Sequence, residues 1–328
     1  MRFGYGLITC QRHPDDNRSD AELYAEALEL AAEAESLGFD SVWTSEHHFA
    51  DDSYMSALLP VSAAIAARTN SIEVGTGLVL APLHHPLRLA EDVATVDAIS
   101  GGRFILGIGL GWLDWEFDAM GVPMAERVKR TEESVQTCRS AWGDGLTAQG
   151  VSVTPKPARS GGPPIWIGAQ AAPAIERAAR IADGWMAGEP SLDDFAEQVA
   201  TLKAELGDRS DFQIAGYWPV FVSNEDAWEQ VKLCLHYMEW KYEDAAESKG
   251  RLGPRPHAPE LSPEEEEELR NFVICGTPEE VAAHIGKLGE IAGPDFTFVG
   301  RLYYPGMDRG VMRKSTELFA KEVIPSLR

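Results

Sequence analysis

Residues 37–49 read LGFDSVWTSEHHF. Gly38 marks a helix end, because a residue without a Cβ sits at no steric cost in the left-handed turn that closes a helix. Phe39–Thr44 then mixes aromatic and β-branched residues with small polar ones, as a short buried strand does. Directly after it come Ser45, Glu46, His47, His48 and Phe49, which put a carboxylate and two imidazoles at a strand's end. Upstream, Ala21–Leu37 carries apolar residues at helical spacing, and Met55–Arg68 does so downstream. Strand and helix alternate around a titratable cluster.

The alternation extends over the whole chain. Arg2–Ile8 reads as the first strand, Ile72–Leu80 as the third and Phe104–Ile108 as the fourth, with helices at Pro86–Ile99 and Ala125–Trp142. Pro164–Gly168, Gly184–Ala187, Phe212–Val222 and Asp295–Tyr303 supply strands five to eight, with helices at Ala172–Ala182, at Leu192–Leu206 and to the chain's end. Eight such units predict an α/β fold, a (β/α)8 TIM barrel read as one domain over 1–328, with an open doubly wound sheet as the alternative. Two stretches break the rhythm. Gly143–Gly162 is rich in Gly and Pro and reads as a loop with a small hairpin at VSVTPKP, 151–157. Residues 225–276 read as an insertion after strand seven: a helix over Ala227–Tyr242, then RLGPRPHAP (251–259) as a lid or a plain surface loop. The run Glu264–Glu268 follows Ser262-Pro263 and reads as the first turn of a solvated helix, where the dipole favours acid.

Composition narrows the partners. Of 328 residues, 52 are acidic and 29 basic, a net charge of -23 that repels phosphate backbones and anionic membranes. Neither nucleic acid nor a membrane is expected, and no run approaches the ~18 apolar residues of a membrane span. The N-terminal MRFGYGLITC lacks a basic stretch ahead of a long apolar one, and Cys10, Cys138, Cys234 and Cys275 stand far apart. Isolated thiols without a secretion signal predict a cytoplasmic protein with no disulfide framework.

In a βα barrel the chemistry sits where strands end, and three strand ends stand out. Glu46, His47 and His48 follow the second strand, His84 and His85 follow the third, and GIGLGWLDWEF (107–117) follows the fourth. These imidazoles, with Glu46, Asp51 and Asp52, would offer zinc ligands. Neighbouring residues on an extended segment point opposite ways, however, so each His-His pair offers one ligand, and no HExxH or HxH spacing occurs. No metal is therefore expected. GIGLG fails the dinucleotide fingerprint, since Trp112 or Asp114 occupies the third glycine's place. The fifth unit, PPIWIGAQAAP (163–173), runs from strand into helix through Gly168, Ala169, Gln170 and Ala171. Its small residues leave backbone N–H groups for a phosphate at the helix N-terminus, while close helix–strand packing explains them equally.

LGFDSVWTSEHHF, VGTGLVLAPLHHPLRLAEDVATVDAISGGRFILGIGLGW (74–112), EFDAMGVPMAER (116–127) and PPIWIGAQAAPAIERAARIADGW (163–185) together resemble the luciferase-like flavin monooxygenases. CGTPEEVAAHI (275–285) and the final PGMDRGVMRKSTELFAKEVIPSLR continue the likeness. The resemblance implies a barrel that binds reduced FMN or the deazaflavin coenzyme F-420, as a homodimer. It implies catalytic roles for Glu46, His47 and His48, with His47 in the place of the family's base. Gly77-Leu78 fall where the family carries a non-prolyl cis peptide under the cofactor ring. Gly109 and Leu110 fall on its cofactor wall, and Gly168, Ala169, Gln170 and Ala171 on its phosphate turn. Leu110 replaces the phosphate-binding arginine of bacterial luciferases. Trp112 replaces the catalytic glutamate of deazaflavin-dependent sugar-phosphate dehydrogenases, which argues against that activity.

The expected function is thus a monooxygenase that uses reduced FMN and O2 on a small, largely apolar organic substrate, with a separate flavin reductase as supplier. The alternative is a deazaflavin-dependent dehydrogenase or reductase that moves hydride without oxygen. The substrate is expected among Tyr5, Phe49, Trp112 and Trp115, with Tyr217 and Trp218 nearby on the seventh strand.

Overall fold

A computed structural model describes residues 1–249 and 253–328. Strand and helix alternate as β1 (Arg2–Ile8), α1 (Asp20–Ser36), β2 (Ser41–Thr44), α2 (Leu58–Arg68), β3 (Glu73–Thr76), β4 (Val79–Leu80), α3 (Pro86–Ser100) and β5 (Phe104–Gly109). There follow α4 (Asp114–Ala119), α5 (Arg127–Trp142), β6 (Ile165–Gly168), α6 (Ala172–Ile181), β7 (Gly184–Gly188), α7 (Leu192–Leu206) and β8 (Gln213–Val222). The last third holds α8 (Ala227–Ser248), α9 (Pro263–Phe272), β9 (Ile274–Gly276), α10 (Pro278–Ala292), β10 (Thr297–Arg301), α11 (Arg309–Leu318) and, after a π-turn at Phe319–Val323, α12 (Ile324–Leu327).

All strand pairings are parallel. The order β10-β1-β2-β3-β5-β6-β7-β8 closes through β8 on β10, where Ala215 faces Thr297 and Pro219 faces Arg301. This is the closed eight-strand barrel expected from the sequence, not an open sheet. Two short strands lie off the ring: β4 extends β3 along β5, and β9 pairs with the far end of β8.

Strand alternation divides the side chains between two layers. Leu7, Trp43, Ile105, Trp166, Met186, Ala215 and Val299 fill the barrel interior. Trp43 and Trp166 stack there with centroids 5.2 Å apart. Rings of that size fit because glycines face them: a Cβ on Gly4 would lie 2.7 Å from the Trp43 indole nitrogen, and one on Gly184 2.6 Å from the Trp166 ring. Outward-facing residues meet the helices, as Phe3 meets Phe319 and Trp185 stacks on Phe195.

Several boundaries differ from expectation for local reasons. The third strand is interrupted at Gly77-Leu78, where the backbone turns through a cis peptide bond; others lie at Gly6-Leu7 and Thr154-Pro155. No hairpin forms at VSVTPKP; residues 151–157 are irregular, held near one end by a turn in which Val151 O accepts from Thr147 N–H. Helix α8 runs on past Tyr242 to Ser248, and α4 emerges between the fourth strand and its helix, where no element was expected. The acidic run does open a helix: Ser262 and Glu265 form a reciprocal capping box, with Glu264, Glu265 and Glu266 in the first turn of α9. Of the segment 251–259, residues 251 and 252 lie outside the described residues. The rest is fastened at two points, by His257 to Asp15 (2.9 Å) and by His236 to the Pro259 carbonyl (2.9 Å). Among the described residues, no helix is long and apolar enough to cross a membrane.

Candidate active site

The C-terminal ends of all eight barrel strands converge on a cavity of about 510 Å3. Leu7, Ser45, Glu46, His47, Gly77 and Leu78 line it from β1, β2 and β3, and Gly109, Leu110, Gly111 and Trp112 from β5. The turn Gly168–Ala171 forms the next wall, then Met186, Gly188 and Glu189 from β7, Tyr217 from β8 and Arg301 from β10; Glu239 and Tyr242 of α8 close the side. Leu78 makes the floor. A Cβ on Gly168 would collide with its side chain, and one on Gly109 would come within 3.2 Å of it, so these glycines let backbone approach backbone.

His47 is held from behind. Its Nδ1 lies 3.2 Å from Oε1 of Glu116, which also accepts the His48 backbone N–H at 2.7 Å; Glu116 is fully buried on α4. The ring edges meet Tyr54 and Tyr242, with centroids 4.8 and 5.7 Å away. His48 turns away from the cavity, its Nε2 2.7 Å from Glu46 Oε1, while Glu46 Oε2 accepts from the Leu80 N–H at 3.2 Å. Burial alone would raise the Glu46 pKa, but the hydrogen bond from His48 and the His84 imidazole 3.7 Å away outweigh it and hold the carboxyl below its usual range. The His48 pKa is raised: burial lowers it, but the bond and charge of Glu46 prevail.

Across the cavity lies a second polar group. Arg301 is 1% exposed, with Nη2 donating to Tyr242 Oη at 3.0 Å and Nη1 to Glu189 Oε1 at 3.3 Å; Glu239 Oε1 stands 3.8 Å from Nη1. Tyr242 Oη continues to Tyr54 Oη at 3.1 Å, and Tyr54 donates to Ser45 Oγ at 2.9 Å. Burial raises the pKa of Glu189 against the opposing charge of Arg301. It pushes Glu239 up to about 8, with the negative charge of Glu189 adding to the rise.

A family model described as luciferase-like monooxygenase matches residues 1–293. This chain belongs to the luciferase-like monooxygenase family. It is similar to 4-hydroxyprotoasukamycin monooxygenase of Streptomyces nodosus subsp. asukaensis, 29% identical over 99% of this chain and 92% of that one. The oxygenase component of a flavin-dependent trigonelline monooxygenase from Acinetobacter baylyi is 30% identical over 52% of this chain and 49% of its own. Among solved structures, monooxygenase RslO1 from Streptomyces bottropensis superposes with a TM-score of 0.83 at 26% identity, covering all of both chains. The chain is accordingly an oxidoreductase of the flavin-dependent monooxygenase kind.

In this luciferase-like barrel, Glu46, His47, Gly77, Leu78, Gly109, Leu110, Gly168, Ala169, Gln170, Ala171 and Trp112 share one cavity. Other expected residues do not reach it. Tyr5 is 1% exposed on the outer face of β1, edge-on to Phe39, because the inward positions of that strand are Gly4 and Gly6. Trp218 likewise faces outward, stacked on Phe298. Phe49 and Trp115 pack against each other outside, and the Trp115 indole N–H donates to the Ala245 carbonyl. His48 sits behind the wall and steadies Glu46.

The site also contains residues that the sequence reading passed over: Glu116, Tyr54, Glu189, Glu239, Tyr242 and Arg301. Only Glu116 left a trace, as a carboxylate between Trp115 and Phe117 in the stretch that follows the fourth strand.

Proposed function

We propose that this protein uses reduced FMN and O2 to oxygenate a small organic substrate held in the mouth of its barrel. The observation that carries this reading is the cavity itself. Its volume falls within the roughly 300–1000 Å3 of cofactor and ligand sites. Its walls are backbone at Gly77, Gly109, Gly111, Gly168 and Gly188, and its floor is the apolar side chain of Leu78. Those features fit a planar ring.

Residues 168–171 lead into α6, whose first donor within the helix is Ala174 N–H to the Ala171 carbonyl; Pro173 has no N–H. Earlier N–H groups there can bind a phosphate at the helix's positive end. When bound, reduced FMN supplies two electrons, so that one atom of O2 enters the substrate and the other leaves as water. The chain's own residues do the rest. Leu78 supports the ring, and Leu7, Leu80 and Met186 exclude water. His47, tied at Nδ1 to Glu116, keeps Nε2 to take or give a proton at the cavity's edge.

The groove beyond the turn favours FMN over F420. It holds about 400 Å3 and is lined by Glu189, Asp194 and Glu197, with no lysine or arginine among its lining residues. F420 carries further carboxylates beyond its phosphate, which this acidic groove would repel. A cytoplasmic homodimer served by a separate flavin reductase belongs to the same proposal; the relative named an oxygenase component supports the reductase.

Titration with FMN and with F420, followed by cofactor fluorescence and co-elution, tests the reading. FMN is expected to bind and F420 to elute free; retention of F420 alone would establish the hydride-transfer alternative. His47→Ala is expected to keep FMN but to slow reoxidation of the reduced, bound cofactor by about 100-fold or more. A wild-type rate would remove His47 from the chemistry.

A further inference from the structure

The polar corner at Arg301 faces the same cavity. Two carboxylates, Glu189 and Glu239, share one guanidinium there, and all three residues line the cavity. The guanidinium hydrogen-bonds Glu189 and Tyr242, but Glu239 Oε1 receives no hydrogen bond although that atom is buried, and Arg301 Nε is a buried donor in the same condition. Two acids sharing one cation in a largely enclosed corner repel each other, which favours a proton on one of them. The proton belongs on the acid that the guanidinium does not bond.

We propose that Glu239 is a specificity-determining residue whose protonated carboxyl, beside Arg301, donates a hydrogen bond to a neutral oxygen acceptor on the substrate. This rests on the reading of the cavity as the flavin and substrate site. The corner is then charge-neutral, with Arg301 offset by Glu189, and presents the Glu239 O–H as its donor at the cavity. A carbonyl-type oxygen accepts that bond; an ammonium group cannot and meets the guanidinium. The substrate so described has an apolar body and an oxygen at its polar end. The groups facing Glu239 agree with its being a held acid. Glu189 and Glu243 press its proton on and Arg301 alone opposes, with Tyr217 and Tyr242 neutral beside it.

The test uses FMN-loaded protein, with cyclohexanone and cyclohexylammonium as matched probes whose binding is read from the spectrum of the bound flavin. FMN loading is measured first by fluorescence quenching. A protein that takes no FMN overturns the cofactor reading, which is separate from a failure at Glu239. In loaded wild type, the ketone is expected to bind more tightly than the ammonium by about tenfold, and to weaken as pH rises through about 8. E239Q, a permanent donor, is expected to keep ketone binding and lose its pH dependence, whereas E239L weakens it by about tenfold. Preference for the ammonium, no ketone binding, or wild-type behaviour in E239L overturns the proposal. A second measurement needs no ligand. The infrared difference spectrum across pH 8 should show a carboxylic-acid carbonyl band that vanishes in E239Q, and the same band in E239Q would refute the held proton.

Discussion

Glu116 is the residue whose replacement says most about how the site is built. Its carboxylate is fully buried and holds both histidines of the pair: Oε1 takes the His48 N–H at 2.7 Å and faces His47 Nδ1 at 3.2 Å. Glu116→Ala removes both contacts and leaves a buried backbone N–H unpaired. A hydrogen bond to a charged group is worth about 1.5–3 kcal/mol and an orphaned buried donor costs about 1–3 kcal/mol, so a loss of roughly 2–4 kcal/mol is expected. Glu116→Gln keeps an oxygen for His48 but withdraws the charge that fixes the His47 ring. It should cost about 1 kcal/mol in stability. Its main effect should fall on turnover: a kcat lower by roughly 10- to 100-fold with KM little changed, because His47 is still present but poorly oriented. Urea unfolding measures the first quantity, and steady-state turnover with an external flavin reductase measures the second. If Glu116→Gln turned over at the wild-type rate, or Glu116→Ala unfolded at the wild-type midpoint, His47 would not depend on Glu116 and the account of its orientation would fail.

Three more outcomes are expected. Gly168→Ala drives a methyl into the Leu78 side chain and lifts the cavity floor, so FMN affinity should fall by about tenfold with little change in Tm; fluorescence titration reads it, and unchanged affinity would remove residue 168 from the cofactor wall. Gly75→Ala sets a methyl against the Trp43 ring, and overpacking of that kind costs about 1–3 kcal/mol, measured as a lower urea midpoint. The Glu46–His48 pair should stabilise the fold within a bounded pH range. Its histidine part is complete below the unfolded His pKa of about 6.5 and fades as pH rises through the raised folded value; its carboxylate part fades as pH falls through the lowered Glu46 value. The stability gap between wild type and His48→Asn should therefore be wider at about pH 6 than at about pH 9, and a gap that grew with pH would reverse the sign.

Features decided within a few neighbouring residues were legible in the sequence. Gly38 followed by Phe39–Thr44 announces a strand without reference to any partner, and eight such units imply the barrel. The strand-end rule pointed to His47 and Gly168–Ala171, which line the cavity. What sequence could not show was which way side chains point and which distant residues meet. Tyr5 follows the same alternation as its neighbours, and only the register around Trp43 turns Gly4 and Gly6 inward and Tyr5 out. Arg301, Glu189 and Glu239 come from β10, the end of β7 and α8. Nothing local in the sequence marks any of the three, and only the fold brings them to one corner. Trp115 sat near the cavity in sequence, but α4, for which no element was expected, carries it to the outside.

A crystal structure of the protein with FMN would show whether the barrel mouth holds the cofactor with His47 beside it. The ring is expected over Leu78 within reach of His47, and the phosphate against the backbone of residues 168–171. FMN bound elsewhere, or a ring whose edge lies away from His47, would contradict that placement.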